Sequence, residues 1–372
     1  MKRTSIDAFK KYLGRKIILI SGPRQAGKTT LTRMMSESVD YLNYDSGEHR
    51  KILRELSWDR SKEIIIFDEL HKMPKWKQWL KGVYDTEKKK NFIVTGSARL
   101  DHFKKVGDSL AGRYFHYRLY PLDVRELIES KTESDPKVAV EKLLRLSGFP
   151  EPYIEGDEGF YQMWKRTHLD IILRQDLVDL EDISSIRAIE ILVDLLLERV
   201  GSGVSYAGLS RDLQVSDKTV KRWLEILENH YLVFKITPYS KKISRSILKQ
   251  PKYYFYDFAR VSNEGAALEN LVAASLLKEI HFRIDTRGED WGLKYLAKKG
   301  SGEIDFLVLK NGKPEILIEV KASDDQPSAH FKMFAQEFPR CRKVQLVKNL
   351  KREKTFPDGV EVRDLASWLV SW

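Results

Sequence analysis

The stretch that most restricts this chain is residues 16–35. Lys16-Ile17-Ile18-Leu19-Ile20-Ser21 is an apolar run with strand character, and Leu31-Thr32-Arg33-Met34-Met35 reads as the start of a helix. Between them lies Gly22-Pro23-Arg24-Gln25-Ala26-Gly27-Lys28-Thr29-Thr30, a glycine-rich loop ending in Gly-Lys-Thr. Strand, loop and helix in this order make a P-loop. Gly22 and Gly27 permit backbone conformations that a Cβ would block. The loop N–H groups and the helix N-terminus then surround an anion with fixed partial positive charge. All nine loop residues, Gly22 to Thr30, are candidate nucleotide contacts. Lys28 would reach the β- and γ-phosphates, and the Thr29 hydroxyl would ligate Mg²⁺. A glycine turn arising by chance has no need of a strand before it and a helix after it.

A second motif supports the first. Glu63-Ile64-Ile65-Ile66-Phe67-Asp68-Glu69-Leu70 is an apolar run closing on two acids, the pattern of a Walker B strand. A strand buried on both faces of a parallel sheet is continuously apolar. Acids at its carboxyl end lie where α/β sheets bind ligands. Asp68 would hold the Mg²⁺ shell, and Glu69 would polarise the attacking water as general base. A third strand, Asn91-Phe92-Ile93-Val94-Thr95-Gly96-Ser97, resembles the sensor strand of AAA+ ATPases. Thr95 and Ser97 are both candidates for contact with the γ-phosphate or the lytic water, Ser97 being taken first. Either could instead cap the next turn.

At 372 residues, two or three domains are expected. A single cysteine, Cys341, excludes a disulfide within the chain and points to a reducing, cytoplasmic setting. Met1-Lys2-Arg3-Thr4 does not read as a signal peptide, and no apolar run approaches membrane-spanning length. The formal charge of +11 favours an anionic partner beyond ATP, nucleic acid first, although a generally Lys-rich surface would give the same number.

Residues 1–15 suggest a short amphipathic helix. Residues 16–125 alternate strand and helix signals, with a strand expected at Tyr41-Leu42-Asn43-Tyr44-Asp45 and another at Tyr114-Phe115-His116-Tyr117-Arg118-Leu119. That order predicts a parallel sheet covered on both faces. Trp76, Trp79, Leu80 and Val83 recur at helical spacing and read as core. Residues 122–200 read as helical, broken at Ser147-Gly148-Phe149-Pro150-Glu151-Pro152, and resemble a helical lid.

Residues 201–260 carry 11 Lys/Arg against 5 Asp/Glu, a net of +6. A short helix to Leu213, a turn at Val215-Ser216, and a second helix over residues 218–228 precede two strand signals, at 231–236 and 252–256. This describes a winged helix. Lys218, Lys221 and Arg222 open its recognition helix, and Lys241, Lys242 and Arg245 lie in the basic loop between the strands, so all six are candidate DNA contacts. The competing reading is a winged helix that only packs or binds protein.

Residues 261–372 hold a third candidate site. Residues 265–277 form an apolar helix with one acid, Glu269. Strands over 303–309 and 315–321 are joined through Asn311-Gly312-Lys313-Pro314. A three-residue loop would pair Lys310 with Pro314 and set Asp305 opposite Glu319 on one face. Glu269, Asp305 and Glu319 would ligate Mg²⁺ or Mn²⁺, and Lys321 would orient the nucleophile or stabilise the charge on a scissile phosphate. A solvated Glu–Lys pair on an edge strand, or an inactivated nuclease fold, is the competing reading.

These motifs together resemble prokaryotic, largely archaeal, AAA+-type ATPases with a C-terminal PD-(D/E)xK nuclease-like domain. The resemblance rests on the P-loop, Phe-Asp-Glu-Leu-His, Thr-Gly-Ser-Ala, Ser-Leu-Ala-Gly-Arg and Asp305…Glu319-Val-Lys321. It implies ATP binding and hydrolysis at the first four. It makes Arg113, closing Ser-Leu-Ala-Gly-Arg, a candidate phosphate-sensing arginine, in cis or across the boundary of a homo-oligomer. Arg99 is the weaker alternative. Ile304 stands where a proline often precedes the first nuclease acid. The fold class expected is α/β, with four segments: a P-loop parallel-sheet ATPase domain (1–125), a helical lid (126–200), a winged helix (201–260) and a nuclease-like α/β domain (261–372). The expected activity is ATP hydrolysis coupled to metal-dependent DNA cleavage. The rival is an ATP-driven DNA- or protein-binding switch with an inactive nuclease-like domain.

Overall fold

The structure, a computed structural model, describes residues 3–87, 90–96, 110–173, 184–240, 250–298 and 302–372. Ser97, Arg99, Lys241, Lys242 and Arg245 lie outside the described residues. The chain divides into two compact units. The first is residues 1–121 with 229–231 and 285–287; the second is residues 122–228, 232–284 and 288–372.

In the first unit the elements are α1 (Ile6–Lys10), β1 (Ile17–Ser21), α2 (Lys28–Arg33), β2 (Val39–Asn43), α3 (Gly47–Glu55), β3 (Ile64–Asp68), α4 (Trp76–Thr86), β4 (Asn91–Gly96) and β5 (Tyr114–Arg118). The five strands form one sheet in the order β2-β3-β4-β1-β5, every pair parallel. Alternation along each strand divides the apolar residues between two cores. Ile17 and Leu19, Ile65 and Phe67, Phe92 and Val94 face one, against Leu53, Trp58, Trp76, Leu80 and Val83. Ile18 and Ile20, Ile64 and Ile66, and Ile93 face the other, against Ile6, Phe9 and Leu31. The expected parallel sheet with both faces covered is therefore present. β2 starts two residues earlier than expected, so Asp45 lies beyond its end, where it pairs with Lys72 at 2.6 Å.

The second unit opens with α5 (Val124–Glu129), α6 (Pro136–Leu146), α7 (Pro150–Glu155) and α8 (Glu158–Ile171), followed by α9 (Ser184–Leu197). Pro150 opens α7 where a missing N–H costs nothing, which explains the break after Leu146. Next come α10 (Tyr206–Leu213), α11 (Asp217–Asn229), and β6 (Val233–Ile236) paired antiparallel with β7 (Lys252–Phe255). Ser205 accepts from Gly208 N, and Ser216 from Thr219 N, so each helix starts at a hydroxyl cap. Val220, Trp223, Leu224 and Leu227 bury one face of α11, leaving Lys218, Lys221 and Arg222 exposed.

A long helix, α12 (Glu264–Arg287), leads into a six-stranded sheet. Its strands are β8 (Trp291–Lys298), β9 (Gly302–Lys310), β10 (Lys313–Lys321), β11 (Arg342–Val347), β12 (Lys354–Thr355) and β13 (Val360–Asp364), in the order β12-β13-β11-β10-β9-β8, with α13 (Ala329–Ala335) after β10 and α14 (Leu365–Ser371) last. β9 and β10 form the expected hairpin with a different turn. Asn311 and Gly312, at φ 51° and 68°, make a two-residue loop that pairs Lys310 with Lys313. A bulge between Pro314 and Ile316 then shifts the register by one. Beyond it the pairing runs to Ile318 with Phe306, a register that, carried one residue on, sets Glu319 opposite Asp305 as expected. Cys341 is buried in this core, and burial pushes its thiol up to about 11.

Candidate nucleotide site and carboxylate cluster

The parallel register lines up Ser21 with Gly96, Thr95 with Asp68, and Asp68 with Asn43 at the carboxyl ends of four neighbouring strands. The P-loop leaves β1 at this edge. Gly22 is required by space: a Cβ there would lie 2.0 Å from the Leu119 carbonyl oxygen. Gly27, at φ 89°, turns the chain into α2. Gln25 takes a left-handed φ of 59° without being glycine, local strain of the kind found where backbone is shaped for a ligand. Arg3, buried, supports the loop from below, its guanidinium donating to the carbonyls of Ala26 at 2.7 Å and Tyr120 at 2.6 Å.

Lys28 folds back over the loop and donates to the carbonyl oxygens of Gly22 at 3.0 Å and Pro23 at 2.7 Å. Its ammonium is thus held by two weak acceptors at the mouth of the anion cradle. Thr29 Oγ1 donates to Asp68 Oδ2 at 2.9 Å. These two side chains are adjacent, as one Mg²⁺ shell requires, and the donor set is all oxygen, so the site fits Mg²⁺.

Asp68 is held from three more sides. Tyr41 donates to Oδ2 at 2.5 Å, Thr95 to Oδ1, and the Glu69 amide to Oδ1 at 3.1 Å. Hydrogen bonds to a charged group contribute about 1.5–3 kcal/mol each, so this carboxylate is fixed in place. Burial, then the Asp68 hydrogen bond, raises the Tyr41 pKa, and the Arg33 guanidinium stacks 4.1 Å from the Tyr41 ring centroid. Of the two sensor-strand candidates, Thr95 touches the Walker B acid directly. Tyr41 and Arg3 escaped the sequence reading, because neither belongs to a motif and each acts through a contact distant in the chain.

Glu69 adopts a left-handed φ of 52° just past the strand end. Burial pushes its carboxyl above the usual carboxylate range, Lys28 pulling it back and Asp68 adding to the rise. His71 Nε2 lies 3.7 Å from Glu69 Oε2. Burial, with Lys72 and Lys28 nearby, pushes His71 down to about 4, so its imidazole is neutral at neutral pH.

Arg113 does not join this group. Its carbonyl accepts from Ile17 N at the start of β1, and its guanidinium pairs with Asp85 at 3.0 Å. The P-loop begins at the far end of that strand, about 16 Å away at roughly 3.3 Å per residue. The cis role expected for Arg113 is therefore corrected: parallel strands put their amino and carboxyl ends on opposite edges of the sheet.

In the second unit the structure brings Glu269, Asp305, Glu319 and Lys321 together. Asp305 Oδ2 accepts from Val320 N at 2.8 Å, and Asp305 N approaches Glu319 Oε2 at 3.4 Å. Glu319 Oε1 is engaged by Lys321 Nζ at 3.0 Å, Ser328 Oγ at 3.3 Å and His330 Nδ1 at 3.4 Å. Glu269 Oε1 takes the Tyr254 hydroxyl at 2.7 Å and Lys252 Nζ at 3.2 Å. Lys252 also pairs with Glu303. Asn270 bonds both the N–H and the carbonyl of Phe255, fixing β7 against α12. Burial, then Glu269 and Glu319, raises the Asp305 pKa well above the carboxylate range. Among the described residues no three carboxylate, imidazole or thiol groups are arranged to hold a metal ion. Glu269, Asp305 and Glu319, the expected ligand set, are assembled as neighbours, with Glu269 Oε1 and Glu319 Oε1 each taken by protein donors. Lys252, Tyr254 and Glu303 were missed; the available signal was parity, Lys252 with Tyr254 and Glu303 with Asp305 each sharing a strand face.

No helix among the described residues is long and apolar enough to cross a membrane. Residues 14–128 match the model of an AAA domain. Residues 100–263 and 264–368 match two domains of unknown function, DUF8612 and DUF4143. The first unit is accordingly a P-loop domain of AAA type, which implies ATP and Mg²⁺. The chain is 23% identical to Uncharacterized protein MJ1544 of Methanocaldococcus jannaschii over 361 residues, covering 87% of this chain and 79% of that one. It is 24% identical to an uncharacterized protein of Haemophilus influenzae over 394 residues, covering 95% and 94%. A solved structure, the STAND protein PH0952 of Pyrococcus horikoshii with a tetratricopeptide repeat sensor, aligns at 14% identity over 73% of this chain and 45% of that one, with a TM-score of 0.24.

Proposed function

We propose that this chain is a Mg²⁺-dependent ATPase whose nucleotide cycle alters how its second unit engages DNA. The observation that carries the ATPase is Asp68, bonded at once to the P-loop Thr29 and the sensor-strand Thr95, with Lys28 and Glu69 beside it. Lys28 would exchange the two loop carbonyls for phosphate oxygens. Thr29 and Asp68 would hold Mg²⁺, which neutralises phosphate charge when bound. Glu69 would take the proton of the attacking water, and its raised pKa suits a base working near neutral pH. Thr95 and Tyr41 keep Asp68 aimed during the cycle. Arg113 would sense a phosphate only on a second copy of the chain.

Contact with DNA is supported by the exposed Lys218, Lys221 and Arg222 on the first turns of α11 and by the +6 balance of residues 201–260. We read α9–α11 with the β6–β7 ribbon as a winged helix and the six-stranded module as nuclease-like. A second reading, metal-dependent DNA cleavage with Mg²⁺ or Mn²⁺, is favoured by one observation: Asp305, Glu319 and Lys321 share the facing strands in the required parity.

The test measures ATP turnover, DNA binding and DNA cleavage on one preparation of wild type, Lys28→Ala and Asp305→Ala. Turnover and DNA binding are expected for wild type, with turnover lost in Lys28→Ala and no cleavage in any sample. Unchanged turnover in Lys28→Ala would remove the ATPase assignment. Cleavage that Asp305→Ala abolishes would replace the switch by the nuclease.

A further inference from the structure

Four carboxylates of the second unit, Glu269, Glu303, Asp305 and Glu319, lie close enough to repel one another and call for a neutralising charge. Glu269 comes from α12, Glu303 and Asp305 from one face of β9, and Glu319 from β10. Lys321 serves Glu319 and remains half-exposed. Glu269, Glu303 and Asp305 are served by Lys252 from β7. The Lys252 side chain is 0% exposed. Its Nζ meets Glu269 at 3.2 Å, pairs with Glu303, and lies 5.3 Å from the Tyr295 ring centroid. Its contacts with the Glu269 and Glu303 carboxylates compensate the burial of its charge.

A fully enclosed lysine is rare unless its charge is paired. Here it has direct carboxylate partners on two different elements, and the Tyr254 hydroxyl, two residues along the same strand face, donates to the same Glu269 oxygen, Oε1. Gly201 approaches the other oxygen: an added Cβ there would lie 2.7 Å from Glu269 Oε2. A divalent ion between Glu269 and Asp305 would have to compete with an ammonium that has no path to solvent of its own.

We infer that Lys252 is the resident cation of this cluster, so that its ammonium occupies the place of a divalent metal and clamps β7 to α12 and β9. This deepens the reading of the six-stranded module as nuclease-like and non-cleaving, and rests on it. The clamp explains three features together: the burial of Lys252, the unusual gathering of acids, and the absence of a metal-ready trio among the described residues.

The experiment is Mn²⁺ titration of the nucleotide-free full-length chain, read by the EPR signal of free Mn²⁺, for wild type, Lys252→Met, Asp305→Asn and the Lys252→Met/Asp305→Asn pair. Wild type is expected to take up no Mn²⁺ saturably. Lys252→Met, which keeps the length of the side chain and removes its charge, is expected to gain about one equivalent. That site should bind on the order of tenfold or more tighter than any residual Mn²⁺ association of wild type, because a unit charge at contact distance is worth more than that even in a polar interior. The double variant should lose it. One saturable equivalent in wild type that Asp305→Asn removes would overturn the inference, and so would a folded Lys252→Met that binds no Mn²⁺. If Lys252→Met fails to fold by circular dichroism, wild type against Asp305→Asn still decides. A gel shift on the same samples keeps the two readings apart: absent DNA binding with the expected Mn²⁺ result removes the DNA proposal and leaves the clamp.

Discussion

Glu69 has the most to answer for in the proposed chemistry, since a general base must be deprotonated to act. Its carboxyl lies above the usual carboxylate range, so at a given acidic pH more of it is protonated than an exposed glutamate would be. ATP turnover should therefore fall on acidification at a pH higher than the ordinary glutamate range. His71, held at about 4, does not titrate in that window. Glu69→Gln should still bind ATP, lose on the order of 10²-fold or more in turnover, and lose this acidic limb. Wild-type turnover in Glu69→Gln would reassign the base. At this scale much was legible. Gly22, Lys28, Thr29, Asp68 and Glu69 stand where spacing predicts, because a motif fixes local backbone and the parallel sheet gathers its ends. Arg3, Tyr41 and Lys252 were not, because each meets a partner many residues away and no local pattern marks a long-range contact.

Among the elements, α11 offers the sharpest test. Its buried Val220, Trp223, Leu224 and Leu227 set its rotation, so the basic residues of its first turns face solvent as a group. Reversing Lys218, Lys221 and Arg222 to glutamate should weaken DNA binding and reduce the salt slope by about three, one for each lost phosphate contact. An unaltered slope would return this helix to a packing role. The apolar face of α11 was readable from its helical period, and so were β1, β3 and β4 from their unbroken apolar runs. β8 was not: only Tyr295 and Leu296 are buried in it, and Gly292, Lys294 and Ala297 dilute any alternation. The β9–β10 hairpin shows a different failure. Asn311-Gly312 is the stronger turn signal and does make the tighter loop, while the bulge after Pro314 restores the face on which Glu319 and Lys321 point toward Asp305. Register depended on the whole hairpin, and two local departures cancelled.

For the molecule as a whole, the proposal requires the nucleotide state of one unit to be felt as DNA affinity in the other. Coupling between sites is typically about 1–3 kcal/mol, or roughly 5–150-fold in affinity. Glu69→Gln with ATP, compared with the same variant without nucleotide, should differ in DNA affinity within that range. Equal affinities would make the two units independent. The lone thiol bears on how such a change could be followed. Cys341 is enclosed and its thiol resists ionisation, so it is a poor nucleophile toward maleimides at neutral pH. Fluorophores placed on one introduced surface cysteine per unit would then label almost without background, and the native residue need not be removed before the distance between the units is timed through a round of ATP.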